Sequence, residues 1–390
     1  MKKLITLLLA VLIVFGMTAC GNGGGGNEGG GAEAETIRIG VVSTFSGNNS
    51  GHGEYCKEGA ELWKEEVNAN GGINGKLVEL VYEDNGDTNE SYQSAFVKML
   101  SEDNVVAVYS NGFSDQVTMV IPDADTYQIP FLAGNSSQAC LNQGSDYYWM
   151  IRLSDAIVSP TMANACVDLL NMSKVAILQV NDSYGDGMAD FVEEALKARG
   201  AEVALRLSFD GDVVQFNSYL AQVEAAGVDG IVGIAHQEQC GPLMMQIDAA
   251  EIDVPLMGCS QFATALAIDT AGESADGWYS LADWTNEADT ETAQAFVKAY
   301  TEKWGRVPDM QSVVCYDAMH ILQAAIESID GEITPAAINE AIYKTNNIVG
   351  AMSTYKCDSS NPAYEHCLGQ SIFTTQTVNG SGVVIGVAQR

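Results

Sequence analysis

The chain's 390 residues exceed one ordinary domain and suit two, and 47% hydrophobic with 18% charged residues is enough to bury sizeable cores. Its 51 acidic residues against 18 basic ones leave a formal net charge of −33. So acidic a surface repels phosphate backbones and anionic headgroups, which excludes nucleic acid as a partner and broad electrostatic docking on a membrane.

At the start, MKKLITLLLAVLIVFGMTAC places two lysines before an apolar run from Leu4 to Phe15 and then small residues. That is the layout of an export signal, and the run is short for a stable membrane span. Cys20 after Met17-Thr18-Ala19 resembles a bacterial lipoprotein processing site. Residues 1–19 are then a signal peptide that is removed, and Cys20 is lipidated as the new N-terminus. Residues 20–35 complete a glycine-rich tether with no apolar anchor larger than alanine, with a reach on the order of 20 Å. The expected location is the outer face of the cytoplasmic membrane, held there by lipid.

From Ile37 onward short β-type runs alternate with helical periodicity. IRIGVV (37–42) reads as a strand, and Tyr55, Gly59, Leu62, Trp63 and Val67 recur at helical spacing. Strands at 77–84, 105–109 and 129–133 follow, with a helix through Tyr92–Leu100 and another ending near Ile121. The pattern restarts with strands at 175–180, 203–209, 230–235 and 254–258, and helices through Met188–Leu196 and Phe216–Val223. Later come a helix with Phe296, Val297, Tyr300 and Trp304, a long one from about Ser312 to Ile329, and a terminal hairpin around Asn379-Gly380. Nearly continuous apolar strands between helices imply parallel sheets covered on both faces. The fold class is therefore α/β, with two doubly wound, Rossmann-like lobes.

Ligand sites in such lobes form outside the carboxyl ends of the strands. The loops there are rich in Ser, Asn and Gly: 43–55, 110–117, 134–140, 181–187, 236–241 and 259–262. Strand-to-helix turns offer free backbone N–H groups and the positive end of a helix dipole, which suit a carboxylate, although the same residues also serve simply to cap helices. Of the nine cysteines, Cys357 and Cys367 lie close in a polar loop, a spacing that admits a local disulfide in an exported protein, while Cys56, Cys166, Cys240 and Cys315 read as core. No C-x-x-C pair and no metal-ligand spacing occur.

Enzyme signatures are missing. GGINGKL (71–77) lacks both the first glycine and the hydroxyl residue of a phosphate loop. The four histidines form no H-E-x-x-H, and there is no G-x-S-x-G. No catalytic residue, cofactor or metal is expected.

EVNANGGINGKLVELVYEDN (66–85), after IRIGVVSTFSGNNSGHGEY (37–55), closely resembles the amino-terminal signature of branched-chain amino-acid/amide-type solute-binding proteins of ABC importers. QIPFLAGNSSQACLNQG (128–144), Tyr184-Gly185 and Asp276-Gly277 fit the same family. The resemblance implies the type I periplasmic-binding-protein fold, two lobes joined by a three-segment hinge crossing near Ala156, Asp283 and Asn361. Lobe 1 would comprise 36–155 with 284–360, and lobe 2 would comprise 156–283 with 361–390. It further implies a monomer that closes on an amino acid, of branched-chain type, or on another small carboxylate or amide, and docks on ABC permease subunits. A tethered sensor feeding a signalling receptor is the alternative within this fold.

Matching segments place the ligand contacts. Gly112, Phe113 and Ser114 fall where the family's first lobe holds the ligand's polar head, Ser136 and Ser137 in the next loop, and Tyr184 where an aromatic from the second lobe covers the ligand. His52 and His236 stand where aromatics are frequent, and Ser260 where an acidic residue is frequent. With Ser260 uncharged, the anion for a ligand ammonium would have to come from Asp115 or Glu238, or the ligand lacks a free α-amino group.

Overall fold

The computed structural model describes residues 36–47, 49–86 and 88–389. The signal peptide, Cys20 and the tether expected at residues 1–35 lie outside the described residues. The first strands and helices are β1 (Ile37–Ser43), α1 (Ser50–Ala69), β2 (Val78–Asp84), α2 (Asn89–Ser101), β3 (Ala107–Ser110), α3 (Ser114–Tyr127), β4 (Phe131–Ala133), α4 (Gln138–Leu141) and β5 (Tyr148–Met150). Then follow α5 (Asp155–Asn164), β6 (Lys174–Val180), α6 (Ser183–Ala198), β7 (Glu202–Phe209), α7 (Asn217–Ala226), β8 (Gly230–Ile234), α8 (Gln237–Ala249), β9 (Leu256–Gly258), α9 (Ala265–Ala271) and β10 (Tyr279–Ala282). The chain ends through α10 (Glu291–Trp304), α11 (Met310–Glu327), α12 (Pro335–Ile342), the ribbon β11 (Ile348–Val349) and β12 (Thr354–Tyr355), and the hairpin β13 (Ser371–Val378) and β14 (Ser381–Gln389).

Two sheets repeat one topology. The first runs β2-β1-β3-β4-β5, all parallel, and the second β7-β6-β8-β9-β10, also parallel, extended by antiparallel β13 and β14. Each therefore reverses strand order once, between β1 and β3 and between β6 and β8, and a crevice opens at each reversal. The strand period of two sorts side chains onto opposite faces of the first sheet. Val41, Ala107, Tyr109, Leu132 and Trp149 pack with Trp63 of α1 and Val314 and Leu322 of α11. Their neighbours Val42, Val108, Phe131 and Tyr148 pack with Phe96 and Met99 of α2 and Val120 of α3. This second core continues through Leu153 and Met162 to Leu178 of β6, so it spans both sheets.

The chain passes between the sheets at Ile151–Ser154, after β5, and again after β10, sending Phe296 and Tyr300 of α10 back to the first core. The last passage comes later than the expected Asn361. Met150 N donates to His366 O and Leu368 N to Met150 O, each at 2.8 Å, so residues 366–368 still lie along the edge of the first sheet. The second sheet receives the chain only at Ser371.

Asn379 and Gly380 both take positive φ, 50° and 75°, the type I′ geometry that matches strand twist in a two-residue hairpin. Helix α3 continues through Pro122 to Tyr127, beyond the expected end near Ile121. Cys357 and Cys367 are buried as thiols rather than joined as a disulfide, their sulfurs 3.5 and 3.2 Å from Glu365 O and Arg152 O.

Candidate functional site

The loops at the carboxyl ends of both sheets face one another. After β1, helix α1 begins hard against the strand end: a Cβ on Gly53 would stand 2.0–2.2 Å from backbone, at 2.1 Å from Thr44 O, so only glycine lets His52 reach the crevice. After β3, the Phe113 N–H donates to Gln116 Oε1 at 3.0 Å, which opens α3 with Phe113 beside the reversal point. After β6, Asp182 caps α6 by accepting from Gly185 N at 2.8 Å. There a Cβ on Gly185 would lie 1.9 Å from Val180 O, so the glycine allows the close strand–helix approach that buries Tyr184.

Four rings form a column across the crevice. Phe113 lies 5.6 Å from His52 and 4.7 Å from His236, and His236 stacks on Tyr184 at 5.5 Å. His52 and Phe113 come from loops of the first sheet, His236 and Tyr184 from loops of the second, so the crevice is shut. The His52 ring nitrogen also meets Glu238 Oε1 of α8 at 3.2 Å. Burial alone would lower the His52 pKa, but the hydrogen bond and charge of Glu238, with Asp309 behind it, outweigh burial and raise it above 6.5. Glu238 is held down in return, since His52 outweighs the burial that would raise it. His236 Nε2 pairs with Asp182 Oδ2 at 2.5 Å.

Behind the rings sits Arg152, on the first passage between the sheets and 6% exposed. Its Nη2 donates to Asp283 Oδ2 at 2.6 Å and Ser260 Oγ at 2.8 Å, and its Nη1 to Gly134 O at 3.2 Å. Burial opposes the guanidinium charge, but Asp283 more than restores it and raises the pKa. One residue thus ties together two passages and a loop from each sheet. Nearby Asp155 is fully buried, which pushes its carboxyl up to about 8 against the hydrogen bond of Ser136 and the charge of Arg152.

The column, Arg152 and the loops after β3 and β4 enclose a cavity of about 40 Å³. Four buried side-chain atoms on its walls have no hydrogen-bond partner: Asn111 Nδ2, Arg152 Nε, Gln261 Oε1 and Gln311 Oε1. Buried polar groups are rarely left unsatisfied, so these four mark a place built for a polar occupant. Among the described residues no group of three or more His, Cys, Asp or Glu is arranged to hold a metal.

A model of the periplasmic binding protein family matches residues 36–377. The chain belongs to that family. Leu/Ile/Val-binding protein homolog 7 of Brucella abortus is 23% identical over 351 residues, covering 83% of this chain and 86% of the relative. The Leu/Ile/Val-binding protein of Escherichia coli K12 is 26% identical over 254 residues, covering 63% and 67%. Among solved structures, the branched-chain amino acid transporter substrate binding protein LivJ from Streptococcus pneumoniae, in complex with isoleucine, superposes with a TM-score of 0.82 at 22% identity. That match covers 91% of this chain and 99% of LivJ. A solute binding protein of an ABC transporter from R. palustris, in complex with benzoate, reaches 0.83 at 18% identity, over 91% and 97%. The fold is the two-lobed type I form, and its relatives are binding proteins, not enzymes.

In this periplasmic binding protein the residues singled out from sequence divide into two groups. His52, Gly112, Phe113, Ser114, Ser136, Tyr184 and His236 all line the cavity. Ser137 does not: its hydroxyl accepts from Ala139 N and caps α4. Ser260 lies one layer deeper, against Arg152. Neither anion suggested for a ligand ammonium is available, because Asp115 is exposed and Glu238 is engaged by His52. The carboxylate beside Ser260 is Asp283 instead. Arg152, Asn111, Gln261 and Gln311 went unrecognised in the sequence. Only the position of Asn111 and Gln261 in strand-end loops could have signalled two of them.

Proposed function

We propose that this protein is the extracytoplasmic substrate-binding lipoprotein of an ABC importer, capturing a small solute of the amino-acid class. The observation that carries this reading is the shut cavity between loops of two lobes, with unpaired buried donors and acceptors on its walls. Such groups exchange water for ligand when the lobes close, and closure is a population shift between open and shut forms rather than a chemical step. Loops 111–114 and 134–136 receive the polar head, and Tyr184 and His236 cover it. The shut form then docks on permease subunits, while a lipidated Cys20 keeps a monomeric protein at the outer membrane face. The names of its relatives put leucine, isoleucine and valine among the first solutes to test.

The test is calorimetric titration of the detergent-solubilised full chain with the common amino acids and short amides. One-to-one saturable binding is expected, with a melting temperature that rises with ligand concentration; at a hundred times Kd the gain is about 2.7 kcal/mol. No heat and no thermal shift from any of them overturns the proposal.

A further inference from the structure

The proposed amino-acid class can be narrowed from the walls of the cavity, an inference that rests on the binding reading above. Among the described residues lining it, there is no valine, leucine, isoleucine, methionine or alanine. A branched aliphatic side chain gains its binding energy by leaving water for apolar surface. Here it would meet amide groups and imidazoles, and would strand the unpaired atoms already present.

Those atoms set the chemistry of the occupant. Asn111 Nδ2 and Arg152 Nε are donors in search of acceptors, and Gln261 Oε1 and Gln311 Oε1 are acceptors in search of donors. Their residues are 7%, 6%, 8% and 3% exposed, so water outside cannot serve them. The occupant must bring both carbonyl-type acceptors and N–H or O–H donors. Its net charge follows from the walls too. Arg152 is matched by Asp283, His52 by Glu238 and His236 by Asp182, which leaves no wall charge for a ligand ion to neutralise.

Size is set by the contacts that shut the crevice. The cavity of about 40 Å³ has room for about three waters, which corresponds to a solute of about six non-hydrogen atoms. A longer side chain would have to break the His52–Glu238 contact at 3.2 Å or part the Phe113 and His236 rings. A wider opening would add room without changing the lining. We infer that the ligand is a short, electrically neutral solute, polar at both ends, of amino-acid or amide type, and not a branched-chain amino acid.

Calorimetry on the full chain in detergent at neutral pH tests this with three sets of probes: L-leucine, L-isoleucine and L-valine; glycine, L-alanine and L-serine; acetamide and propionamide. At least one probe of the second or third set should bind tenfold or more tightly than every branched-chain probe, and the better of those two sets identifies the head group. A branched-chain probe that binds as tightly as the best short probe overturns the inference and leaves the proposed function standing. Silence from all three sets overturns both. Gln261→Leu combined with Gln311→Leu should shift the preference at least tenfold towards L-leucine, and an unchanged ratio refutes the role given to the two acceptors.

Discussion

Replacing Arg152 by methionine keeps an unbranched chain of similar reach and removes the charge. Three hydrogen bonds go with it, to Asp283 Oδ2, Ser260 Oγ and Gly134 O. Asp283, 4% exposed, is left as a carboxylate without its cation. Breaking a buried ion pair from one side costs about 3–5 kcal/mol. The two stranded neutral acceptors add about 1 kcal/mol or more. A loss of about 4–6 kcal/mol is a large share of the roughly 5–15 kcal/mol that holds a protein folded. The measurement is urea unfolding of the full chain followed by the fluorescence of its five tryptophans. The control is Arg152→Met with Asp283→Leu, which swaps the pair for apolar groups and should recover about 2 kcal/mol or more of the loss. A single variant that loses less than about 1 kcal/mol, or a double variant no more stable than the single one, would refute the reasoning.

Two further outcomes are expected. Because Glu238 and Asp309 lift the His52 pKa above 6.5, the folded state holds this proton more tightly than the unfolded chain. The contact then contributes fully below pH 6.5 and is lost as pH rises through the raised value, so stability and ligand affinity should fall over that window. The span is about 1 kcal/mol, and His52→Gln should flatten the slope in melting curves taken against pH; an unaltered slope would assign it to another group. Cys20→Ser should move the protein from the membrane fraction to the soluble one, and retention in membranes would sink the lipid anchor.

The α/β class and most strands could be read along the chain because burial on both faces demands near-continuous apolar runs such as VAILQV at 175–180, and a run of that kind is visible locally. The Asn379-Gly380 turn was legible for a similar reason: the φ values it needs are confined to a few residue types. Strand β5 was not, since Tyr148–Met150 is too short to show a period, and α5 and α12 were missed beside it. The loops at the strand ends were also legible, so seven of the nine binding residues named from sequence do face one cavity.

What those loops build belongs to tertiary structure alone. Nothing near Ser137 distinguishes a helix cap from a ligand contact until the direction of its hydroxyl is known. Arg152 finds Asp283 across 131 positions of chain and Ser260 across 108. The ring column draws its members from four separate loops. Local sequence sets backbone preference and the side on which a residue falls, because those are governed by neighbours a few bonds away. The polarity and size of the cavity depend on which distant groups satisfy one another, and only the closed packing of two sheets decides which atoms are left unpaired.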